Sequence, residues 1–130
     1  MSYNLNILGD DTTGVDVIGS SGTPAALTVA DTYVAQPGLT DTLNFRQVTW
    51  YPFISAVGTA AWITIKIEWS EDGTNLAQQG FGPTGEWVYP AFAGALQPLS
   101  LPVIAPNAKV SIKADTGTTT TCYVRVTRQA

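Results

Sequence analysis

Apolar and polar residues alternate with a period of two in several short segments of the chain. The clearest alternation covers residues 60–69, where one face carries four large apolar side chains: Ile63, Ile65, Ile67 and Trp69. The opposite face carries Lys66 and Glu68, which are spaced to form an ion pair. Such strict alternation predicts a half-buried β-strand. Full burial of each Ile stabilises the fold by about 1.5–3 kcal/mol, so this strand should anchor the core.

Two later segments repeat the pattern. Residues 108–114 place Val110, Ile112 and Ala114 inward, and residues 119–128 place apolar residues inward and larger polar ones outward. In the second segment the inward residues are Cys122, Val124 and Val126, and the outward residues are Tyr123, Arg125 and Thr127. Both segments are therefore predicted to be strands with one face in the core.

Two earlier segments are less regular. Residues 25–35 are predicted to form one strand that ends before Pro37-Gly38. Residues 45–57 are apolar on both faces, which predicts a central strand covered on both sides or a strand that meets another chain.

Turn formers separate these strands. Asp72-Gly73 and Thr116-Gly117 supply the positive φ that hairpin turns need, and the prolines of 95–105 predict an edge or loop. The sequence predicts an all-β fold, an antiparallel β-sandwich of about seven or eight strands, jelly-roll or immunoglobulin-like.

Domain limits follow from the same pattern. Residues 25–130 are predicted to form a single domain, because 130 residues suit one core. Residues 1–24, rich in Gly, Ser and Asp, are predicted to be an N-terminal arm or loop. Four apolar residues in the arm are candidates for contacts with a partner: Leu5, Ile7, Val15 and Val17.

Charge excludes several functions. Only 12% of residues are charged, the net charge is −4, and the six cations are scattered. Phosphate-backbone binding needs a concentrated basic face, so no nucleic-acid partner is predicted. No stretch approaches the roughly 18 apolar residues of a membrane span, and no secretory signal is present, which predicts synthesis in a cytoplasm and no membrane partner.

The chain has few of the residue types that catalysis commonly uses. The chain has no His and a single Cys, which argues against a Ser-His-Asp or Cys-His mechanism and a zinc site. Cys122 lies on an apolar face, where a free Cys acts as a small hydrophobe. Glu68 and Glu86 are the remaining acid pair on strands, as a glycosidase would need. The sequence predicts a protein that is not an enzyme and needs no cofactor or metal.

The aromatic residues, four Trp, five Tyr and four Phe, are candidates for a binding surface. Aromatic side chains are enriched in protein interfaces. The candidate interface residues are Trp50, Tyr51, Phe53, Trp62, Trp87, Tyr89 and Phe92. In a carbohydrate-binding module, which is the alternative, Trp87 and Tyr89 would form a stacking platform for a glycan.

Residues 63–75 also resemble a known pattern. The strand from Ile63 to Trp69 runs into the turn Ser70-Glu71-Asp72-Gly73-Thr74-Asn75. This strand-turn pattern resembles one that is found in small β-sandwich proteins of tailed-bacteriophage particles. Sugar-binding sandwiches use similar turns, so the glycan alternative stays open.

The resemblance implies a virion structural protein. It implies a capsid decoration (cement) protein made in the host cytoplasm, which forms a homotrimer and binds the major capsid protein lattice at the capsid surface. A head-fibre, neck or tail component is the other role that it implies.

Overall fold

The computed structural model describes residues 14–27, 32–79, 86–115 and 120–130. These residues form twelve β-strands: β1 (Val15–Ile18), β2 (Ala25–Leu27), β3 (Val34–Ala35), β4 (Thr40–Asp41), β5 (Gln47–Ala56), β6 (Trp62–Ser70), β7 (Ala77–Gln78), β8 (Glu86–Pro90), β9 (Gly94–Ala95), β10 (Leu99–Pro102), β11 (Asn107–Ala114) and β12 (Thr120–Gln129). Within the described residues, no helix is long and apolar enough to cross a membrane.

The strands pair into two antiparallel sheets. In sheet A, β12 and β5 are the inner strands, with β1 and β2 along β12 and β9 and β10 along β5. In sheet B, β11 and β6 are the inner strands, with β3 and β4 along β11 and β7 and β8 along β6. The predicted all-β sandwich is confirmed.

Each outer row of the sheets consists of two short strands. When such a pair is counted as one strand, the described strands form eight rows in chain order. Sheet A then has the order 1-8-3-6, and sheet B has the order 2-7-4-5. The first row pairs with the eighth, the second with the seventh, the third with the sixth and the fourth with the fifth. This is the wrapped order of a jelly roll, and it decides between the two topologies that the sequence left open.

The interruptions of the outer rows are built into the fold. Between β3 and β4, the buried Gln36 replaces a strand residue: its backbone N–H donates to the Val110 carbonyl, and its side-chain Oε1 accepts from the Val110 N–H at 3.1 Å. Between β9 and β10, the Leu96 N–H donates to the carbonyl of Pro52. Pro52, in the central β5, lacks an N–H on this same side, so the interruption accommodates a proline that an unbroken ladder would disfavour.

The core lies between the two sheets, and its pattern agrees with the predicted alternation. Ile63, Ile65 and Ile67 are fully buried, and β6 pairs in register with β11, so that Ile65 lies opposite Ile112. The inward residues predicted for the last strand, Cys122, Val124 and Val126, are also buried. Trp50 of sheet A contacts Trp69 of sheet B edge to face, with ring centroids 6.3 Å apart.

The turn after β6 confirms the predicted hairpin, because β7 pairs with the end of β6. Gly73 has a φ of +81°. The Asp72 carboxylate accepts hydrogen bonds from the backbone N–H groups of Asn75 and Thr74. Those bonds hold the pKa of Asp72 well below its usual range.

Two predicted segments need correction. Residues 25–35 are not one strand: β2 belongs to sheet A and β3 to sheet B, so the chain crosses between sheets within this segment. The boundary at residue 25 is also corrected, because Val15 and Val17 lie in β1, which pairs with the chain's own β12. Ile18, next to them, is a core residue. Leu5, Ile7 and the predicted turn at 116–117 lie outside the described residues.

Candidate functional site

A groove of about 430 Å³ lies on the outer face of sheet A. Its walls include Tyr51, Phe53, Pro98, Tyr123 and Arg125, and we call it the aromatic groove. The volume falls within the range of about 300–1,000 Å³ that is usual for small-molecule sites. The groove is therefore large enough to hold a compact ligand or one segment of a longer one.

The strand pattern of β5 and β12 builds the groove. Because side chains alternate across a strand, the burial of Trp50 and Ile54 in the core turns Tyr51 and Phe53 outward. Phe53 lies opposite Tyr123 in the ladder, and their rings stack at 4.9 Å with an interplanar angle of 22°. The apolar second face of residues 45–57 is thus the floor of an open groove, where Tyr51 remains 40% exposed.

An ion pair borders the aromatic groove. Nε of Arg125 donates to Oδ1 of Asp16, on the neighbouring β1, at 2.8 Å. The Arg125 guanidinium also lies 5.4 Å from the centre of the Tyr123 ring. The pair offers both donors and acceptors to a ligand while it contributes no net charge.

Uncharged polar side chains continue the same face beyond Tyr51. They form a chain of hydrogen bonds across β10, β5 and β12, which we call the polar row: Gln47, Ser100, Thr49, Gln129 and Thr127. The row reaches the groove where Oγ1 of Thr127 donates to the Tyr51 hydroxyl at 3.3 Å. Hydroxyl and amide groups thus lie directly beside aromatic rings.

The outer face of sheet B has a different character. Trp62 lies opposite Pro90, and Thr64 lies opposite Val88 in the ladder of β6 and β8. Trp62 is 49% exposed and Val88 is 59% exposed. We call Trp62, Val88 and Pro90 the Trp62 patch.

Charged residues adjoin the Trp62 patch along β6. The ammonium groups of Lys66 and Lys113 lie 4.4 and 4.7 Å from the centre of the Tyr33 ring, and the Tyr33 hydroxyl donates to Glu86. Lys66 also forms the predicted ion pair with Glu68, at 3.8 Å.

The predicted interface residues do not form one surface. Trp50 is fully buried, so its assignment to an interface is wrong. Trp87 and Tyr89 pack against the core from the inner face of sheet B, because they lie opposite Ile65 and Ile63. They therefore form no exposed platform, and burial raises the pKa of Tyr89.

The other four candidates reach the surface in separate places. Tyr51 and Phe53 line the aromatic groove, Trp62 lies on the opposite sheet, and Phe92 lies between β8 and β9. Sequence reasoning placed Tyr123, Arg125 and Thr127 outward but did not connect them with Tyr51 and Phe53. The connection depends on the pairing of β5 with β12, which are more than sixty residues apart in the chain.

The two candidate acids are each engaged. Glu86 lies opposite Lys66 in the ladder and accepts a hydrogen bond from Tyr33, and Glu68 is paired with the same lysine. Across the described residues, no group of three or more Cys, Asp or Glu side chains could hold a metal ion.

Cys122 is fully buried on the inner face of β12, and burial raises the pKa of its thiol to about 12. The ordinary pKa of a Cys thiol is 9.0. Burial therefore lowers the thiolate fraction of Cys122 on the order of a thousandfold. We expect the native protein to react with a thiol-specific disulfide reagent at pH 8 at least that much more slowly than the same protein in guanidinium chloride. Rapid reaction of the native protein would show that β12 opens readily.

Comparison with known proteins shows structural similarity but no match by sequence. No protein-family model matches the chain, and no curated protein matches it. Among solved structures, the chain is similar to part of endo-1,4-β-D-xylanase 10B of Clostridium thermocellum, whose structure holds the N-terminal CBM22-1 and GH10 modules complexed with xylohexaose. The TM-score is 0.48 and the sequence identity is 17%, over 91% of this chain and 24% of the xylanase chain. Identity this low does not extend to ligand or activity.

Proposed function

We propose that this domain is a non-catalytic saccharide-binding module that holds a neutral sugar chain against the outer face of sheet A. The observation that carries the proposal is the aromatic groove, in which Tyr51 and Phe53 lie beside the uncharged polar row. Small-molecule sites combine apolar walls with a few polar groups that fix the orientation of the ligand. A sugar ring matches this arrangement, because it has apolar C–H faces and a rim of hydroxyl groups.

The electrostatics favour a neutral ligand. Arg125, the cation in the groove wall, already pairs with Asp16, and the polar row consists of hydroxyl and amide side chains. A charged saccharide would gain little here, since an unpaired binding charge is what normally recognises an anion. Hydroxyl groups of a neutral sugar, in contrast, find both donors and acceptors along the row.

Calorimetric titration with neutral hexasaccharides, xylohexaose and cellohexaose among them, tests the proposal. We expect Tyr51→Ala to weaken binding at least about tenfold, which corresponds to about 1.4 kcal/mol of lost contact. Tyr51→Phe keeps the ring and should retain most of the affinity. Trp62→Ala is the matched control, because it removes an exposed aromatic side chain from the opposite sheet.

Two results would contradict this function. One is the absence of binding to every neutral hexasaccharide at millimolar concentration. The other is equal loss of binding in Tyr51→Ala and Trp62→Ala, which would place the sugar outside the aromatic groove. Circular dichroism of each variant separates loss of binding from loss of fold.

The decoration role implied by the phage resemblance stays a prediction. A jelly roll is common to viral capsid proteins and lectins, so the topology favours neither class. A decoration protein needs a surface for self-association, and within the described residues the Trp62 patch is the best placed for it.

A further inference from the structure

We infer that the sugar chain runs along β5 and β12, from the aromatic groove to a second groove at the far end of the same face. The second groove has a volume of about 340 Å³, and we call it the glutamine groove. Its walls are formed by Arg46, Gln47, Pro102, Gln129 and Ala130. This inference rests on the proposed function, and it adds the direction, the length and the shape of the ligand.

The register of β5 with β12 places both grooves on the outer face of sheet A. Phe53 and Gln47 are an even number of residues apart on β5, so their side chains point to the same side of the sheet. At roughly 3.3 Å per residue, the path between them is about 20 Å long. Four cross-strand pairs follow this path: Phe53 with Tyr123, Tyr51 with Arg125, Thr49 with Thr127, and Gln47 with Gln129.

Small side chains occupy the middle of the path. Thr49 lies opposite Thr127 on β12 and opposite Ser100 on β10. Both threonines are only 8% exposed. Thr49 donates to Oε1 of Gln129 at 3.2 Å, and Thr127 donates to the Tyr51 hydroxyl. At this level β10, β5 and β12 carry no side chain larger than threonine, so no wall separates the two grooves on these strands.

The two glutamines have hydrogen-bonding capacity left for a ligand, because an amide has two N–H donors and two acceptor lone pairs. Gln129 uses one donor on Thr127 and one lone pair on Thr49. Nε2 of Gln47 donates to Ser100 at 2.6 Å, and within the described part of the chain its Oε1 accepts no hydrogen bond. Since protein partners already orient both amides, a sugar that binds them orders few additional side chains.

Arg46 is the charged side chain in the wall of the glutamine groove. Its Nη2 donates to the backbone oxygen of Ala130 at 3.3 Å. A guanidinium has further N–H donors and no acceptor, so Arg46 can also donate to the hydroxyl oxygens of the last sugar unit. Between Tyr51 and Gln47 the path offers hydroxyl and amide groups, which suit neutral sugar units.

The length and straightness of the path define the class of saccharide. About 20 Å along a strand holds about four sugar units of an extended chain. The β-linked chains of xylan and cellulose are extended, whereas the α-linked chains of starch coil and leave a straight path after a few units. The ligand is therefore an extended, β-linked chain that is bound over about four units, and a disaccharide covers the aromatic groove alone.

Calorimetric titration with xylo- and cello-oligosaccharides, from disaccharides to hexasaccharides, tests the length of the site. We expect the affinity to rise at least about tenfold from the disaccharide to the tetrasaccharide, and to change less than about twofold from the pentasaccharide to the hexasaccharide. Displacement titration against the hexasaccharide measures the weakly bound disaccharides. Maltohexaose, whose chain coils, should bind at least about tenfold more weakly than the better of xylohexaose and cellohexaose.

Two variants of β5 test the direction. Gln47→Ala removes an exposed amide from the glutamine groove. It should remove most of the gain in affinity between disaccharide and tetrasaccharide and leave the disaccharide affinity unchanged. Ser55→Ala is the matched control, because Ser55 is an exposed polar residue of β5 on the other side of Phe53, and its affinities should equal those of the wild type. Gln129→Ala repeats the test from β12, and unfolding curves show whether each variant keeps its fold.

Several results would overturn the inference. They are equal affinity for disaccharides and hexasaccharides, wild-type affinities in Gln47→Ala, equal losses in Ser55→Ala and Gln47→Ala, or a maltohexaose affinity equal to that of the extended chains. If Tyr51→Ala still weakens binding in these cases, the saccharide site stands and only its direction, length or shape is wrong. Absence of binding to every oligosaccharide contradicts the proposed function as well.

Discussion

Replacing Gly19 with Ala is expected to lower the free energy of unfolding by about 2–5 kcal/mol. Gly19 has a φ of +56°, and a Cβ built on it would lie 2.6 Å from the Ala25 backbone N and 2.8 Å from the Cys122 carbonyl oxygen. The left-handed conformation costs an L-residue about 1–2 kcal/mol, and the overlap with backbone adds about 1–3 kcal/mol. Neither backbone atom can move without disturbing the pairing of β2 with β12.

The chain offers a matched control in Gly22→Ala. Gly22 lies in the same connection between β1 and β2, and a Cβ there meets no atom within 4 Å. We expect the free energy of unfolding of this variant to lie within about 0.5 kcal/mol of the wild-type value. Equilibrium unfolding in urea measures both. Equal stability of the two variants would mean that the connection at Gly19 is free to rearrange.

Substitution of the two core tryptophans by Phe is expected to have unequal effects, although the side-chain change is the same. Nε1 of Trp69 donates to Oε1 of Gln79 at 2.6 Å. Trp50 is fully buried, and its Nε1 has no hydrogen-bond partner among the described residues. Each substitution leaves a small void that costs about 1–2 kcal/mol, but only Trp69→Phe also loses a hydrogen bond.

The indole N–H groups therefore decide the difference. Trp50→Phe removes an unpaired buried donor, whose desolvation costs about 1–3 kcal/mol, so the gain offsets the void. We expect the free energy of unfolding of Trp50→Phe to lie within about 1 kcal/mol of the wild-type value. For Trp69→Phe we expect it to fall by about 2–3 kcal/mol. Denaturant unfolding followed by circular dichroism measures both values. A larger loss in Trp50→Phe would show that its N–H has a partner, such as a buried water.

Local pattern predicted much of the fold. The period of two over 60–69 placed Ile63, Ile65 and Ile67 in the core, and Asp72-Gly73 placed the hairpin. Both signals arise within a few residues, where side-chain alternation and turn geometry are set by the local backbone.

Structural features that depend on the pairing of distant strands could not be predicted from the sequence. Residues 25–35 seemed to form one strand because the change from sheet A to sheet B leaves no mark on alternation. The apolar residues of 45–57 predicted a surface without distinguishing Trp50, which faces sheet B, from Tyr51, which faces outward.

The candidate site shows the same limit. Tyr51 and Phe53 become a groove only when β12 brings Tyr123 and Arg125 beside them. Trp87 and Tyr89 are candidates for a binding surface by residue type alone, and their register with Ile65 and Ile63 turns them inward. Aromatic residue type does not indicate which face it occupies, because both a core and a binding surface use it.

The interrupted outer rows have a consequence for how binding costs are distributed. Local opening of a short strand costs little free energy, whereas the long inner strands open only when the whole domain unfolds. Four of the groove residues, Tyr51, Phe53, Tyr123 and Arg125, stand on the two inner strands of sheet A. A ligand there meets rings that are already held in place, so little conformational entropy is lost on binding. Under the proposed function, the short outer strands around this rigid floor would let the domain adjust its margins to sugar chains of different width.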